Sequence, residues 1–150
     1  MFKRGVDKCK SHVYSFTSVI GSCASLGGSR KEKLEAFEIA LQTFNDMCRA
    51  GIESNYVTYG TMLKGCGRLL PPNDRRKKLT RKYFRSACED GCLGVMTIAR
   101  LKEAASPAQY KGLLGDVDEE NLQEEWISNV PDNEKRSLRR KPTSRLRLRP

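Results

Sequence analysis

The chain has 150 residues, 38% of them hydrophobic, and its 28 basic residues outweigh 18 acidic ones for a net charge of +10. That length suits one domain with a modest core, and the low apolar share predicts a folded part with solvated ends. No run of eighteen apolar residues encodes a membrane span, and Met1-Phe2-Lys3-Arg4-Gly5 lacks the apolar stretch of a secretory signal.

Residues 1–12 are polar and basic and read as a flexible leader, with Asp7 breaking the acid-poor pattern of an organelle transit peptide. From Val13, the apolar residues Phe16, Val19, Ile20, Cys23 and Ala24 step by threes and fours, which predicts a first helix ended at Gly27-Gly28. Ser29 followed three residues later by Glu32 fits a capping box for a second helix. Its stripe is Leu34, Phe37, Leu41, Phe44 and Cys48, with Ala36, Ala40 and Met47 alongside. Gly51 supplies the positive φ of a helix stop, and Ser54 or Asn55 caps a third helix from about Tyr56 to Leu70.

Pro71-Pro72 ends the third helix, and Asn73 or Asp74 caps a fourth that starts with Arg75, Arg76, Lys77 and Lys78. Basic residues at a helix N-terminus oppose the macrodipole, so these charges point to a role other than helix stability. Gly91 closes the fourth helix, and Val95–Ala105 reads as a fifth. Residues 106–128 form an acidic segment with a short docking helix through Leu122 and Trp126, and 129–150 read as a disordered basic tail. The charge is polarised there: residues 114–126 hold six acids and no base, residues 135–150 eight bases and no acid.

Six cysteines (Cys9, Cys23, Cys48, Cys66, Cys88 and Cys92) contain no Cys-x-x-Cys pair, and His12 has no second ligand at metal spacing. They read as reduced helix cysteines, and neither a metal nor a cofactor is expected. Catalysis has no support either: no carboxylate pair shares a helix face with a base, and Leu26-Gly27-Gly28-Ser29 lacks the lysine of a phosphate loop. Asp116, Asp118, Glu119 and Glu120 lack the spacing of a calcium loop. The chain is expected not to be an enzyme.

The helices repeat. Phe16, Val19, Ile20 and Cys23 match Tyr59, Met62, Leu63 and Cys66 at an offset of 43, and Phe44, Cys48 and Gly51 match Phe84, Cys88 and Gly91 at 40. The expected domain at 13–105 therefore comprises helix-pair units 13–55 and 56–95 and a partial third at 96–105. The fold class is all-α, antiparallel helix–turn–helix repeats stacked as a short α-solenoid.

Tyr56-Val57-Thr58-Tyr59-Gly60-Thr61-Met62-Leu63 resembles the first-helix motif of the pentatricopeptide repeats, Val-Thr-Tyr-Asn-Thr-Leu-Ile. Ala40-Leu41-Gln42-Thr43-Phe44-Asn45-Asp46-Met47 through Gly51-Ile52 is similar to their second-helix motif. Val13–Ile20 and Tyr83–Gly91 match less fully. The chain departs from the family in the length of its units, in Ser54 where a proline is common, and in having two complete units.

The resemblance implies single-stranded RNA binding at about one base per repeat, with action in a mitochondrion or plastid, in RNA processing, stability or translation. It implies base-edge residues at Thr17 and Asn55 in the first unit, a pair of adenine-preferring type, and at Gly60 and Val95 in the second, a pair with no side-chain hydrogen bond. Tyr14 and Val57 match the positions that sandwich a base. The cluster Arg75, Arg76, Lys77, Lys78, Arg81 and Lys82 reads as a phosphate-binding face. The alternative is a protein-interaction scaffold using the same concave surface. Neither a membrane nor a small-molecule substrate is expected as a partner.

Overall fold

In the computed structural model, residues 2–115 and 122–138 are described, and every regular element among them is an α-helix. The first five are α1 (Phe2–Ala24), α2 (Arg30–Arg49), α3 (Tyr56–Leu69), α4 (Asp74–Glu89) and α5 (Val95–Ala104). Three shorter ones follow: α6 (Pro107–Leu114), α7 (Glu124–Ile127) and α8 (Asp132–Leu138). No helix of the described residues is long and apolar enough to cross a membrane.

Local chemistry sets the helix ends. Ser29 and Glu32 form the reciprocal capping box that opens α2. Asn55 and Asn73 cap α3 and α4 by accepting from Thr58 N at 2.9 Å and Arg76 N at 3.2 Å. Gly51 and Gly91 take φ of 75° and 67°, the left-handed stop that a side chain would strain.

Two expectations change at the chain's ends. Helix α1 begins at Phe2, so residues 2–12, expected as a flexible leader, continue the first helix. The sequence did carry the signal, since Phe2, Val6, Cys9, Val13 and Phe16 step by fours and threes among the charges, and a helix already docked at Ile20 and Ala24 extends at one hydrogen bond per residue. The tail expected to be disordered from 129 instead holds α8 at Asp132–Leu138, with Val130 and Leu138 buried. The rest of that tail, with the acidic residues Asp116, Asp118, Glu119 and Glu120, lies outside the described residues.

The docking expected of Trp126 is present: its ring stands edge-on to Phe84 with centroids 5.7 Å apart. Leu122 packs against the core, and Ile127 is fully buried.

Helix α3 is the hub, packed against α1, α2, α4 and α5. Its buried Tyr59, Met62, Leu63, Cys66 and Leu69 meet Phe37, Phe44 and Met47 of α2, Tyr83 of α4 and Leu101 of α5 in one core. Phe44 joins the aromatics, edge-on to Tyr83 at 5.2 Å and tilted to Tyr59 at 6.2 Å. Cys23, Cys66, Cys88 and Cys92 are free and buried, and Cys48 is free and exposed.

The α1–α3 and α3–α5 contacts use matching positions. Thr17 meets Thr58 and Ala24 meets Gly65; Gly60 meets Thr97 and Gly67 meets Ala104. Adding 43 to the α1 position and 39 to the α3 position converts the first set of pairs into the second. Small residues at these crossings bring the backbones close: a Cβ on Gly67 would lie 3.2 Å from Ala104 Cα.

Candidate functional site

Helices α1, α3 and α5 expose a large apolar side chain at matching positions, midway along α1 and in the first turns of α3 and α5. Tyr14, Val57 and Met96 are 73%, 46% and 52% exposed. Tyr14 and Val57, the residues matched to base-sandwiching positions, stand at the surface, and Met96 extends the row to a third helix. The signal for Met96 was in the sequence, since Val57 plus 39 lands on it once the α3–α5 register is known.

Beside this row, Thr17, Thr58 and Asn55 form one hydrogen-bonded group. Thr17 Oγ1 and Thr58 Oγ1 are 3.0 Å apart, and Thr58 Oγ1 donates to Asn55 Oδ1 at 3.0 Å. Asn55 Oδ1 also accepts from Thr58 N at 2.9 Å, and Asn55 N approaches Thr58 Oγ1 at 3.4 Å. Thr17 and Asn55, 38 positions apart in sequence, are therefore linked through one fully buried hydroxyl. Their free polar capacity is narrower than their side chains imply: Asn55 Oδ1 is spent on the cap, while its amide NH2 donates to no group among the described residues. Thr58 went unnoticed as a site residue, although Asn-x-x-Thr is the spacing of a capping box.

The second unit differs. Gly60 is buried at the α3–α5 crossing, 3.7 Å from Thr97 if it carried a Cβ, and so presents nothing outward. Val95 is the first residue of α5, one past the cap, and the structural counterpart of Asn55 is Gly94. The inter-helix loop after Gly91 is one residue shorter than the loop after Gly51, so an offset carried over from α2 and α4 overshoots by one. Around Gly94, Thr97 Oγ1 donates to Tyr56 O at 3.2 Å and accepts from Gly94 N at 3.2 Å. Val95 N donates to Glu134 Oε1 of α8 at 3.2 Å.

The basic cluster of α4 divides in two. Arg76 is structural: its guanidinium donates to Ala104 O and Glu103 O at 2.9 Å each and to Leu70 O at 3.3 Å. These include carbonyls that the end of α5 leaves unpaired. Arg75 pairs with Glu38 of α2 and lies over the Phe37 ring, 5.3 Å from its centroid. Lys82 lies 5.7 Å from the Tyr83 ring centroid. Lys77, Lys78 and Arg81 are exposed on α4, a different helix from the apolar row.

Within the second unit, Tyr59 OH donates to the Asp90 carboxylate at the end of α4. Burial, and then this bond, hold its phenol well above the ordinary range, so it stays a donor.

No protein-family model, curated protein or solved structure matches the chain.

Proposed function

We propose that this chain binds single-stranded RNA along the middle of α1 and the first turns of α3 and α5, as a short α-solenoid of pentatricopeptide type acting in organelle RNA metabolism. The observation that carries this reading is the exposed row Tyr14, Val57 and Met96, one apolar side chain per helix at matching positions. A base inserted between successive members packs on both, and stacking on an aromatic ring, here that of Tyr14, is worth roughly 1–3 kcal/mol. The base between Tyr14 and Val57 meets the Asn55 amide NH2 at its edge, a donor matched to the ring-nitrogen acceptors of a purine. The net charge of +10 supports a polyanionic ligand, with Lys77, Lys78 and Arg81 free to meet phosphates.

Filter binding of unstructured RNA across a salt series tests the reading. Affinity should fall steeply with salt, with a slope set by the phosphates neutralised. Asn55→Ser keeps a capping oxygen and removes the amide donor, so it should weaken adenine-containing RNA more than uridine runs while leaving helicity intact. Absence of binding at micromolar protein, or capture of RNA duplex in preference to single strands, would overturn the proposal.

A further inference from the structure

A glycine at the start of α5 brings no side chain to the cap, and a carboxylate from α8 takes the place. Glu134 Oε1 accepts from Val95 N at 3.2 Å, and a Cβ on Gly94 would stand 2.9 Å from that same oxygen. The missing side chain makes the room. The segment carrying Glu134 is anchored from both sides. Leu93 N donates to Trp126 O at 3.0 Å, Asn129 N to Gly91 O at 2.8 Å, and Asn129 Nδ2 to Asp90 O at 2.6 Å. The buried side chains of Ile127, Val130 and Leu138 fix it further. Even so, it leaves Val57 and Met96 exposed. The place for a base between them stays open, with a carboxylate at the cap position that Asn55 holds in the first unit.

We infer that Glu134, supplied by α8 from outside the repeats, is the base-edge residue of the second unit and that it selects guanine. This rests on the RNA reading above. A carboxylate only accepts hydrogen bonds, through two oxygens. On its Watson–Crick edge guanine presents two adjacent donors, N1–H and N2–H2, which match a carboxylate in a bidentate, charge-assisted pair. Adenine and cytosine offer one amino group beside a ring acceptor, and uracil offers one imino N–H flanked by two carbonyls. Each of these sets an acceptor against the carboxylate. The two units thus carry opposite polarity, a donor amide in the first and an acceptor carboxylate in the second.

The test uses the full chain and a set of uridine-based oligonucleotides with one adenine for the first unit and each of the four bases at the adjoining position. The wild type should favour guanine there by about tenfold or more, the discrimination of a good bidentate pair. Glu134→Gln keeps an oxygen for Val95 N and adds a donor, so the guanine preference should collapse and move toward adenine, with the first-unit preference unchanged. Gly94→Ala, whose Cβ would stand 2.9 Å from Glu134 Oε1 and 3.0 Å from Tyr56 Cδ2, pushes the carboxylate away and should abolish the same preference.

Trp126, the single tryptophan, reports whether the segment stays on Phe84. Its emission should be unchanged in Glu134→Gln and on adding RNA. A guanine preference that survives Glu134→Gln, RNA binding with no preference at that position, or a red shift of Trp126 as RNA binds would each overturn the assignment while leaving the RNA reading intact. Failure of every oligonucleotide to bind would remove both.

Discussion

Replacing Thr58 with valine removes one hydroxyl and almost nothing else, because the two side chains share a shape and Thr58 is fully buried. That hydroxyl bridges α1 to the α3 cap. It makes two 3.0 Å hydrogen bonds, to Thr17 Oγ1 and Asn55 Oδ1, and a third at 3.4 Å that is too long to count for much. At about 1 kcal/mol net for each of the two good bonds, Thr58→Val should cost about 2 kcal/mol. For a chain of this size that lowers the melting temperature by about 4–8 °C. Thr17→Val removes only one of the two bonds and should cost about 1 kcal/mol. The double variant should cost about 2 kcal/mol rather than 3, giving a coupling energy of about 1 kcal/mol. Urea unfolding followed by helical circular dichroism measures all four corners of the cycle. A loss under about 0.5 kcal/mol in Thr58→Val, or strict additivity of the two single changes, would refute the bridge.

Glycine positions make a second check. Gly67→Ala places a Cβ 3.2 Å from Ala104 Cα and should destabilise by about 1 kcal/mol or more, whereas Gly112→Ala in α6 meets nothing within 4 Å and should stabilise by up to about 1 kcal/mol. Thermal melts that order the two variants the other way would contradict the close α3–α5 crossing. A third check is alkaline stability. Burial pushes the thiols of Cys66 and Cys88 up to about 12 and that of Cys92 up to about 11, from an ordinary 9.0. Above pH 9 the unfolded chain has released these protons and the folded one has kept them, so stability falls as pH rises. It should be fully present below about pH 9 and lost progressively toward pH 11–12; a urea midpoint that stays flat from pH 9 to 11 would contradict this.

What the sequence made legible is what is decided within one turn of chain. Ser29, Asn55 and Asn73 cap the residues next to them, and Gly51 and Gly91 stop helices through their own φ. The stripes of α2 and α3 were readable because each faces one side. Helix α8 was not, since its partners lie in distant elements. Ile127, Val130 and Leu138 are spaced irregularly among charges and become a buried set only against the end of α4 and the start of α5. The same distance hid the roles of Arg75 and Arg76, whose partners stand 37 and 28 positions away. Glu134 was hidden twice over. It sits in a stretch that composition marks as a tail, and its target is a backbone amide exposed only because position 94 is glycine.

The matching crossings of α1 with α3 and of α3 with α5 meet one geometric demand by two chemistries. Position 17 carries a hydroxyl and position 60 none, so Thr58 at the first crossing bonds a side chain of α1, while Thr97 at the second bonds the Tyr56 carbonyl of α3. The caps beside them diverge in the same way. Asn55 supplies its own acceptor to α3, whereas Gly94 supplies none and α5 borrows one from Glu134. A borrowed acceptor ties the second unit's cap to whether α8 is docked, while the first unit's cap bond, Thr58 N to Asn55 Oδ1, closes within three residues of chain. Loosening the C-terminal segment should therefore expose Val95 N to solvent exchange well before Thr58 N. That order follows from the hydrogen bonds alone, whatever ligand the surface takes.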